Sequence, residues 1–246
     1  MRIILSGIGG HMGKEVLDLA AKGVRNAEVV SGIDVMGYNG EIPTAISYES
    51  ASADGDVIID FSHRANTEKL LDFAVKNGLP LVLATTGQTD EERELIKNAA
   101  ESIPLFFASN FSLGVALLIE LAEKAASVMT DAGIEIVETH HVRKADAPSG
   151  TALSIAEGIR EVRPELNINC GRNGFCRKDK NELGISSVRM GNIVGIHEVH
   201  ICTDSQCITL KHEAFSRALF AEGALAAAEY LTGKPAGLYD MKAMIK

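Results

Sequence analysis

The sequence predicts an α/β protein: a parallel-sheet domain with helices on both faces, followed by a smaller α/β domain with a mixed sheet. Three observations lead there. In residues 1–112 short apolar runs alternate with helical stretches, the rhythm of strands buried on both faces. The first run passes directly into a glycine-rich turn, GIGGHMG, at 7–13. Beyond residue 113 the rhythm changes, and three β-like runs succeed one another across short polar links, as antiparallel or mixed pairing requires.

Taken in order, RIILSG (2–7) is the first strand, and the helix after it carries Met12, Val16, Leu19 and Ala20 on one face. AEVVSGID (27–34) and DVIIDF (56–61) are the second and third strands. A helix over 65–77 follows, with Leu70, Leu71, Ala74 and Val75 as inward positions. LPLVLATT (79–86) is a fourth strand, and Thr89 with Glu92 forms a capping box for a helix rich in Glu and Lys. IPLFFAS (103–109) is the fifth strand, and 113–129 is a helix. The second domain then runs through a strand at 134–141, a helix at 151–163 and β runs at 184–190, 192–203 and 206–213. An Ala-rich helix at 216–233 ends at a glycine. The expected division is 1–112 and 113–214, with the C-terminal segment 215–246 packing back on the first domain.

Composition narrows the function classes. A chain of 246 residues, 46% hydrophobic and 23% charged, can bury two modest cores. The formal net charge of -9 argues against a nucleic-acid-binding surface. No run approaches the roughly 18–20 apolar residues of a membrane span, so no membrane partner is expected. MRIILSGIGG enters the strand-and-glycine pattern at once, so neither a signal nor a transit peptide is expected, and the protein reads as cytoplasmic. Cys170, Cys176, Cys202 and Cys207 form no C-x-x-C pair and read as separate reduced thiols.

The glycine turn stands where a strand passes into a helix, so backbone amides and the helix N-terminus can face a pyrophosphate. It is not a strict G-x-G-x-x-G, because Met12 holds the third glycine position and Gly13 follows one later. The second strand ends at Asp34, 21 residues beyond Gly13, where a carboxylate can accept hydrogen bonds from the ribose hydroxyls of NAD. Later strand ends carry Phe61 with His63, then ATTG (84–87), then ASNFS (108–112). Small and hydroxylated residues at successive carboxyl ends leave room for a ligand.

The stretch ETHHVRKADAPSGTAL (138–153) concentrates the remaining chemistry. His140 and His141, adjacent on a strand, point to opposite faces. Arg143 reads as a surface or ion-pairing residue, Asp146 as a loop stabiliser, and Pro148 as shaping the turn before the helix; Glu138 stays open between structural and functional roles. Backbone N–H groups at the Ser149-Gly150-Thr151 helix start suit an anion. His197 and His200 have an odd spacing that separates them on a strand and leaves no ligand set, so no metal site is expected.

With these residues in view, the chain resembles the 4-hydroxy-tetrahydrodipicolinate reductase (dihydrodipicolinate reductase) family of lysine and diaminopimelate biosynthesis. GIGGHMG, ATTG with ASNFSLGV, ETHHVRKADAPSGTA and the terminal GLYDM (237–241) carry the resemblance over nearly the whole chain. It implies a Rossmann domain plus a smaller α/β domain whose sheet builds a homotetramer. It also implies nucleotide contacts at Gly7, Ile8, Gly9, Gly10, His11, Met12, Asp34, Ala84, Thr85, Thr86, Ala108, Ser109, Asn110 and Phe111. His140 corresponds to the catalytic histidine, Lys144 to the proton-donating lysine, and His141, Gly150 and Thr151 to substrate contacts. Two departures stand out: His11 where many members have arginine, and Val35 after Asp34 where some have a basic residue.

The implied substrate is a small cyclic dicarboxylate; for the cofactor, Asp34 with nothing basic in the following DVMGYNG favours NADH, with NADPH as a second cofactor. Reduction adds a hydride at one carbon and a proton at another, and a histidine or lysine can supply the proton. Two alternatives remain at this point: another two-domain NAD-dependent dehydrogenase of aspartate-derived metabolites, and a non-catalytic NADH-sensing protein. A sensor has no need of the His140/Lys144 pair.

Overall fold

The structure, a computed structural model, describes residues 1–246. The chain forms two compact units, Met1–Ser112 with Ala218–Lys246, and Leu113–Arg217.

The first unit opens with β1 (Arg2–Ser6), α1 (His11–Ala21), β2 (Glu28–Ile33), the short β3 (Thr44–Ala45) and β4 (Val57–Asp60). It continues with α2 (Thr67–Asn77), β5 (Leu81–Leu83), α3 (Asp90–Ala100) and β6 (Pro104–Phe107). Ile3, Ile4, Leu5, Ile58, Ile59, Leu81, Val82 and Leu83 are all fully buried, as continuous apolar strands covered on both faces must be. The capping box of α3 is present: Thr89 Oγ1 accepts from the Glu92 amide, and Glu92 Oε2 accepts from the Thr89 amide. In α2 the inward face differs by a small rotation from the expected one. Leu70, Leu71 and Ala74 are buried, but Phe73 takes the fourth inward place and Val75 is exposed. On α1, Val16 and Leu19 are buried while Met12 and Ala20 are half-buried. The Phe73 ring packs against Tyr48, with the ring centroids 6.1 Å apart.

The second unit contains α4 (Leu113–Val128), β7 (Gly133–His140), α5 (Gly150–Val162), β8 (Asn167–Cys170), β9 (Glu182–Arg189), β10 (Gly195–Cys202) and β11 (Cys207–Ala214). Its sheet runs β11-β10-β7-β9-β8, parallel on the β7, β9, β8 side and antiparallel at β10 and β11, and is therefore mixed. Ile134, Ile136, Leu183, Ile185, Val199 and Ile201 pack with Leu118, Ala122 and Ala126 of α4 and with Ile155 and Ile159 of α5. That core covers one face of the sheet.

Cys202 and Cys207, expected as separate thiols, are joined in a disulfide, while Cys170 and Cys176 are free and exposed. The cause is register: β10 and β11 form an antiparallel hairpin in which Cys202 pairs directly with Cys207. The C-x-x-x-x-C spacing becomes a bridge only once that pairing is set.

The chain returns to the first unit with α6 (Ala218–Leu231), β12 (Gly237–Tyr239) and α7 (Met241–Ile245). β12 adds to β6, so all seven strands run parallel in the order β12-β6-β5-β4-β1-β2-β3. The alanine-rich α6 packs on α1, β4, β5 and β6. Gly223 permits this approach, because a Cβ there would run into the Phe111 carbonyl. No helix is long and apolar enough to cross a membrane.

Candidate active site

The order of the first sheet reverses direction between β1 and β4, and ligands of open parallel sheets bind at the carboxyl ends of strands beside such a reversal. A cleft of about 330 Å³ lies there, lined among others by Gly7, Gly9, Gly10, Asp34, Tyr48 and Phe61. The turn that forms its floor needs its glycines. Gly7 has φ +79°, and a Cβ on it would stand 2.5 Å from the Phe61 carbonyl oxygen. Gly13 is buried in the first turn of α1, where a Cβ would run into the Gly7 and Ile8 carbonyls. Close strand-to-helix packing is thus supplied by Gly13, one place later than the usual third glycine. Gly10 caps α1 without any side-chain hydrogen bond, which leaves the helix start for an external anion.

Asp34 Oδ2 accepts the Gly9 amide at 2.9 Å and Oδ1 accepts the Met36 amide at 3.0 Å. A carboxylate has about four acceptor sites, so two bonds orient it and leave capacity for hydroxyls. These residues fit a dinucleotide: a cradle closed to side chains, a helix N-terminus, and an acceptor at the end of β2.

The other expected nucleotide contacts are less uniform. Ile8 is fully buried under the turn, and His11 is exposed on α1. Ala84 and Thr85 are buried, and Thr85 Oγ1 donates to Asp60 Oδ2 at 2.5 Å, so its hydroxyl is committed inward. Thr86 is exposed. Of the loop after β6, Ala108 and Asn110 are half-buried, Ser109 is exposed, and Asn110 Oδ1 accepts the Ser112 amide. Phe111 is buried with its ring 5.7 Å from Phe106 and 6.5 Å from Phe61, so its side chain belongs to the core. Tyr48 and Asn66 line the cleft without having been legible beforehand, since neither stands at the end of a predicted strand. Beneath the cleft, Asp60 is buried; burial raises its pKa, against the hydrogen bonds from Thr85, Ser6 and Ser62.

In the second unit the ETHHVRK segment ends β7. Glu138 and His140 share the buried face of β7 with Ile134 and Ile136, and His141 lies just beyond the strand, half-buried. His140 Nδ1 is 2.5 Å from Glu138 Oε2. Arg189, at the end of β9, makes two parallel 2.8 Å bonds to the same carboxylate. Burial would push Glu138 up, but the bonds from Arg189, Ser187 and His140 outweigh it and hold the carboxyl at about 2. Its Oε1 also accepts the Ser149 amide at 3.1 Å. Ser149 caps α5, its Oγ accepting from the Ala152 amide and lying 3.1 Å from His197 Nε2. The His197 ring meets the His140 ring edge-on at 5.2 Å, and burial, with His140 beside it, pushes His197 down to about 4.

Lys144 pairs with Asp146 at 2.8 Å. Gly150 is exposed at the first turn of α5 and Thr151 half-buried next to it. Desolvation and the charges of Arg143 and Arg217 lower the pKa of His141. Arg143, expected on the surface, is exposed and donates to Asn192 Oδ1 at 2.6 Å. His197 and His200 are separated, one buried and one half-exposed with Nδ1 3.1 Å from Thr209 Oγ1, and no group of three or more potential ligands could hold a metal ion. Glu138, Arg189 and His197 were the residues least legible in advance; the only hint was Glu138 two places before His140, the period that puts both on one face of a strand.

A parallel-sheet unit with a glycine-cradled cleft, and a mixed-sheet unit carrying a histidine, a lysine and a helix start, define a nicotinamide-dependent oxidoreductase. Sequence models of dihydrodipicolinate reductase match residues 1–111 with the enzyme's N-terminus and 114–245 with its C-terminus. The chain is 42% identical over 248 residues to the 4-hydroxy-tetrahydrodipicolinate reductase of Caldanaerobacter subterraneus subsp. tengcongensis, covering 100% of this chain and 98% of the relative. It is 39% identical to that of Clostridium tetani, covering 100% and 97%. A solved structure described as dipicolinate-bound dihydrodipicolinate reductase from Paenisporosarcina sp. TG-14 superposes with a TM-score of 0.84 at 25% identity, covering 98% of this chain and 97% of that one. The chain belongs to the dihydrodipicolinate reductase family.

Proposed function

We propose that the chain reduces 4-hydroxy-tetrahydrodipicolinate to tetrahydrodipicolinate in lysine and diaminopimelate biosynthesis, with NADH as the preferred nicotinamide cofactor. The observation that carries this reading is the family's His-His-x-x-Lys segment, folded so that His140 ends β7 on its buried face beside the start of α5. When bound, the nicotinamide supplies the hydride. The chain's own residues do the rest. The Gly7–Gly10 turn and the start of α1 receive the pyrophosphate, and Asp34 accepts from the adenosine-ribose hydroxyls. Gly150 and Thr151 at the start of α5, with His141 and Lys144, hold the carboxylates of the substrate. His140 and Lys144 manage the proton that must reach the electron-rich carbon after reduction.

The second unit is also read as the seat of a homotetramer. α4 and α5 cover one face of its sheet, and the opposite face carries Val137, Val188 and Ile196 among Glu135, Glu198 and Lys211. The solved relative is described as dipicolinate-bound, and a planar dicarboxylate of that kind suits the cationic surroundings of His141. The test is loss of NADH absorbance when freshly generated product of the preceding synthase is added to the purified protein. Absence of oxidation with both NADH and NADPH would refute the assignment.

A further inference from the structure

We propose that Glu138 is the positioning residue of the proton chemistry: it fixes His140 with the proton on Nδ1, so that Nε2 is the nitrogen that exchanges a proton with substrate. The inference rests on the reading of His140 as the proton-exchanging group. It starts from an oddity of β7. Three successive core-facing places after Ile134 hold Ile136, Glu138 and His140, and Glu138 is 0% exposed. A buried carboxylate is tolerated only when its acceptor sites are filled. Here they are filled by Arg189 Nη1 and Nη2, the Ser149 amide and His140 Nδ1. Replacement of the whole Glu138–Arg189 pair by apolar residues would cost the fold little in principle, whereas loss of Glu138 alone would strand the Arg189 charge. What apolar residues could not do is orient an imidazole.

The orientation follows from donor and acceptor counting. An ionised carboxylate only accepts, so the ring nitrogen 2.5 Å from Oε2 must carry hydrogen. Nε2 is then the one ring nitrogen left for a ligand. Its surroundings are kept open on one side, because a Cβ on Gly195 would stand 3.0 Å from it. On another side the His197 ring walls it at 5.2 Å between centroids. The same carboxylate ties in the other functional groups. Through the Ser149 amide it holds the start of α5. Through Arg189, which also donates to the Asp146 carbonyl at 2.7 Å, it reaches the loop whose Asp146 carboxylate pairs with Lys144. One buried group thereby sets the mutual register of the histidine, the lysine and the anion-binding helix start.

The experiment begins with the unaltered protein. Imidazole ¹⁵N spectra, with the His140 signals assigned by their loss in His140→Ala, are expected to show a protonated Nδ1 and an unprotonated Nε2 in the neutral ring. A neutral ring protonated on Nε2 overturns the proposal whatever the substrate. In Glu138→Gln, whose amide can donate or accept, that tautomer preference is expected to disappear. Its kcat is expected to fall by about a hundredfold or more, with NADH affinity within about twofold of the parent. Glu138→Asp, which keeps the charge at shorter reach, should recover at least about tenfold of that loss. A folded Glu138→Gln with near-normal kcat overturns the positioning role. Near-normal turnover in His140→Ala removes the underlying reading instead, and the tautomer measurement tells the two failures apart.

Discussion

The Gly9 amide donates to Asp34 Oδ2 at 2.9 Å, so the acid at the end of β2 is anchored to the glycine turn. Val35 and Met36, which follow it, are exposed and apolar, and no cation stands in that turn to meet a 2′-phosphate. A phosphate there would lie beside a fixed like charge. The specificity constant is therefore expected to favour NADH over NADPH, and Asp34→Ser should narrow the ratio while raising the NADH KM by about tenfold, the worth of one charge-assisted hydrogen bond. Steady-state kinetics with both cofactors decide it; a clear NADPH preference in the parent would remove this claim.

His140→Ala and Lys144→Ala should each lose at least about a hundredfold in turnover, the usual contribution of a general acid or base. NADH affinity should stay nearly constant, because the dinucleotide cleft is lined by residues of the first unit. Lys144→Ala should raise the substrate KM as well, since its charge can meet a carboxylate. Kinetics alongside NADH titration test both. Near-normal turnover in either variant marks that residue as structural.

His197 and Glu138 should each make stability fall on acidification, while buried Asp60, whose pKa burial raises, acts the opposite way. His197 faces His140, Glu138, His212 and Lys144, and is held at about 4 against an ordinary 6.5. As pH falls from 6.5 to 4 the unfolded chain takes up the proton first, so stability present above 6.5 is progressively lost. Glu138, at about 2 against 4.5, adds a second loss below 4.5 in the same direction. Urea unfolding at pH 7 and pH 4.5 should differ by a His197 contribution on the order of 1–3 kcal/mol. His197→Gln should flatten that interval. An unchanged slope in the variant would assign the loss to other groups.

The outer face of the second sheet leads to an expectation about assembly. Light scattering should give a homotetramer, and Val188→Glu with Ile196→Glu should dissociate it by placing like charges on the apolar part of that face. A stable monomer of the parent at micromolar concentration would contradict it.

By itself, the sequence determined whatever depends on neighbours along the chain. Apolar runs and helical periods marked the long elements, because burial on one face imposes a repeat of two or 3.6 residues. The Thr89–Glu92 capping box was legible because both partners lie within one helical turn. The glycine turn and Asp34 were legible because a strand, a tight turn and a helix leave a contiguous record.

Tertiary structure alone decided what depends on the register between distant strands. Arg189 meets Glu138 across 51 residues, and His197 meets Ser149 across 48. Cys202 faces Cys207 only once β10 and β11 pair, and Phe73, rather than Val75, is buried on α2 with its ring against Tyr48. Tyr48 and Asn66 enter the cleft because the sheet reverses its order between β1 and β4. The physical reason is common to all of these. Local pattern specifies which face of an element is apolar, whereas the partner opposite each residue is chosen by how elements pack and pair, and for Arg189 with Glu138 and Cys202 with Cys207 a shift of one residue in the strand register would exchange it.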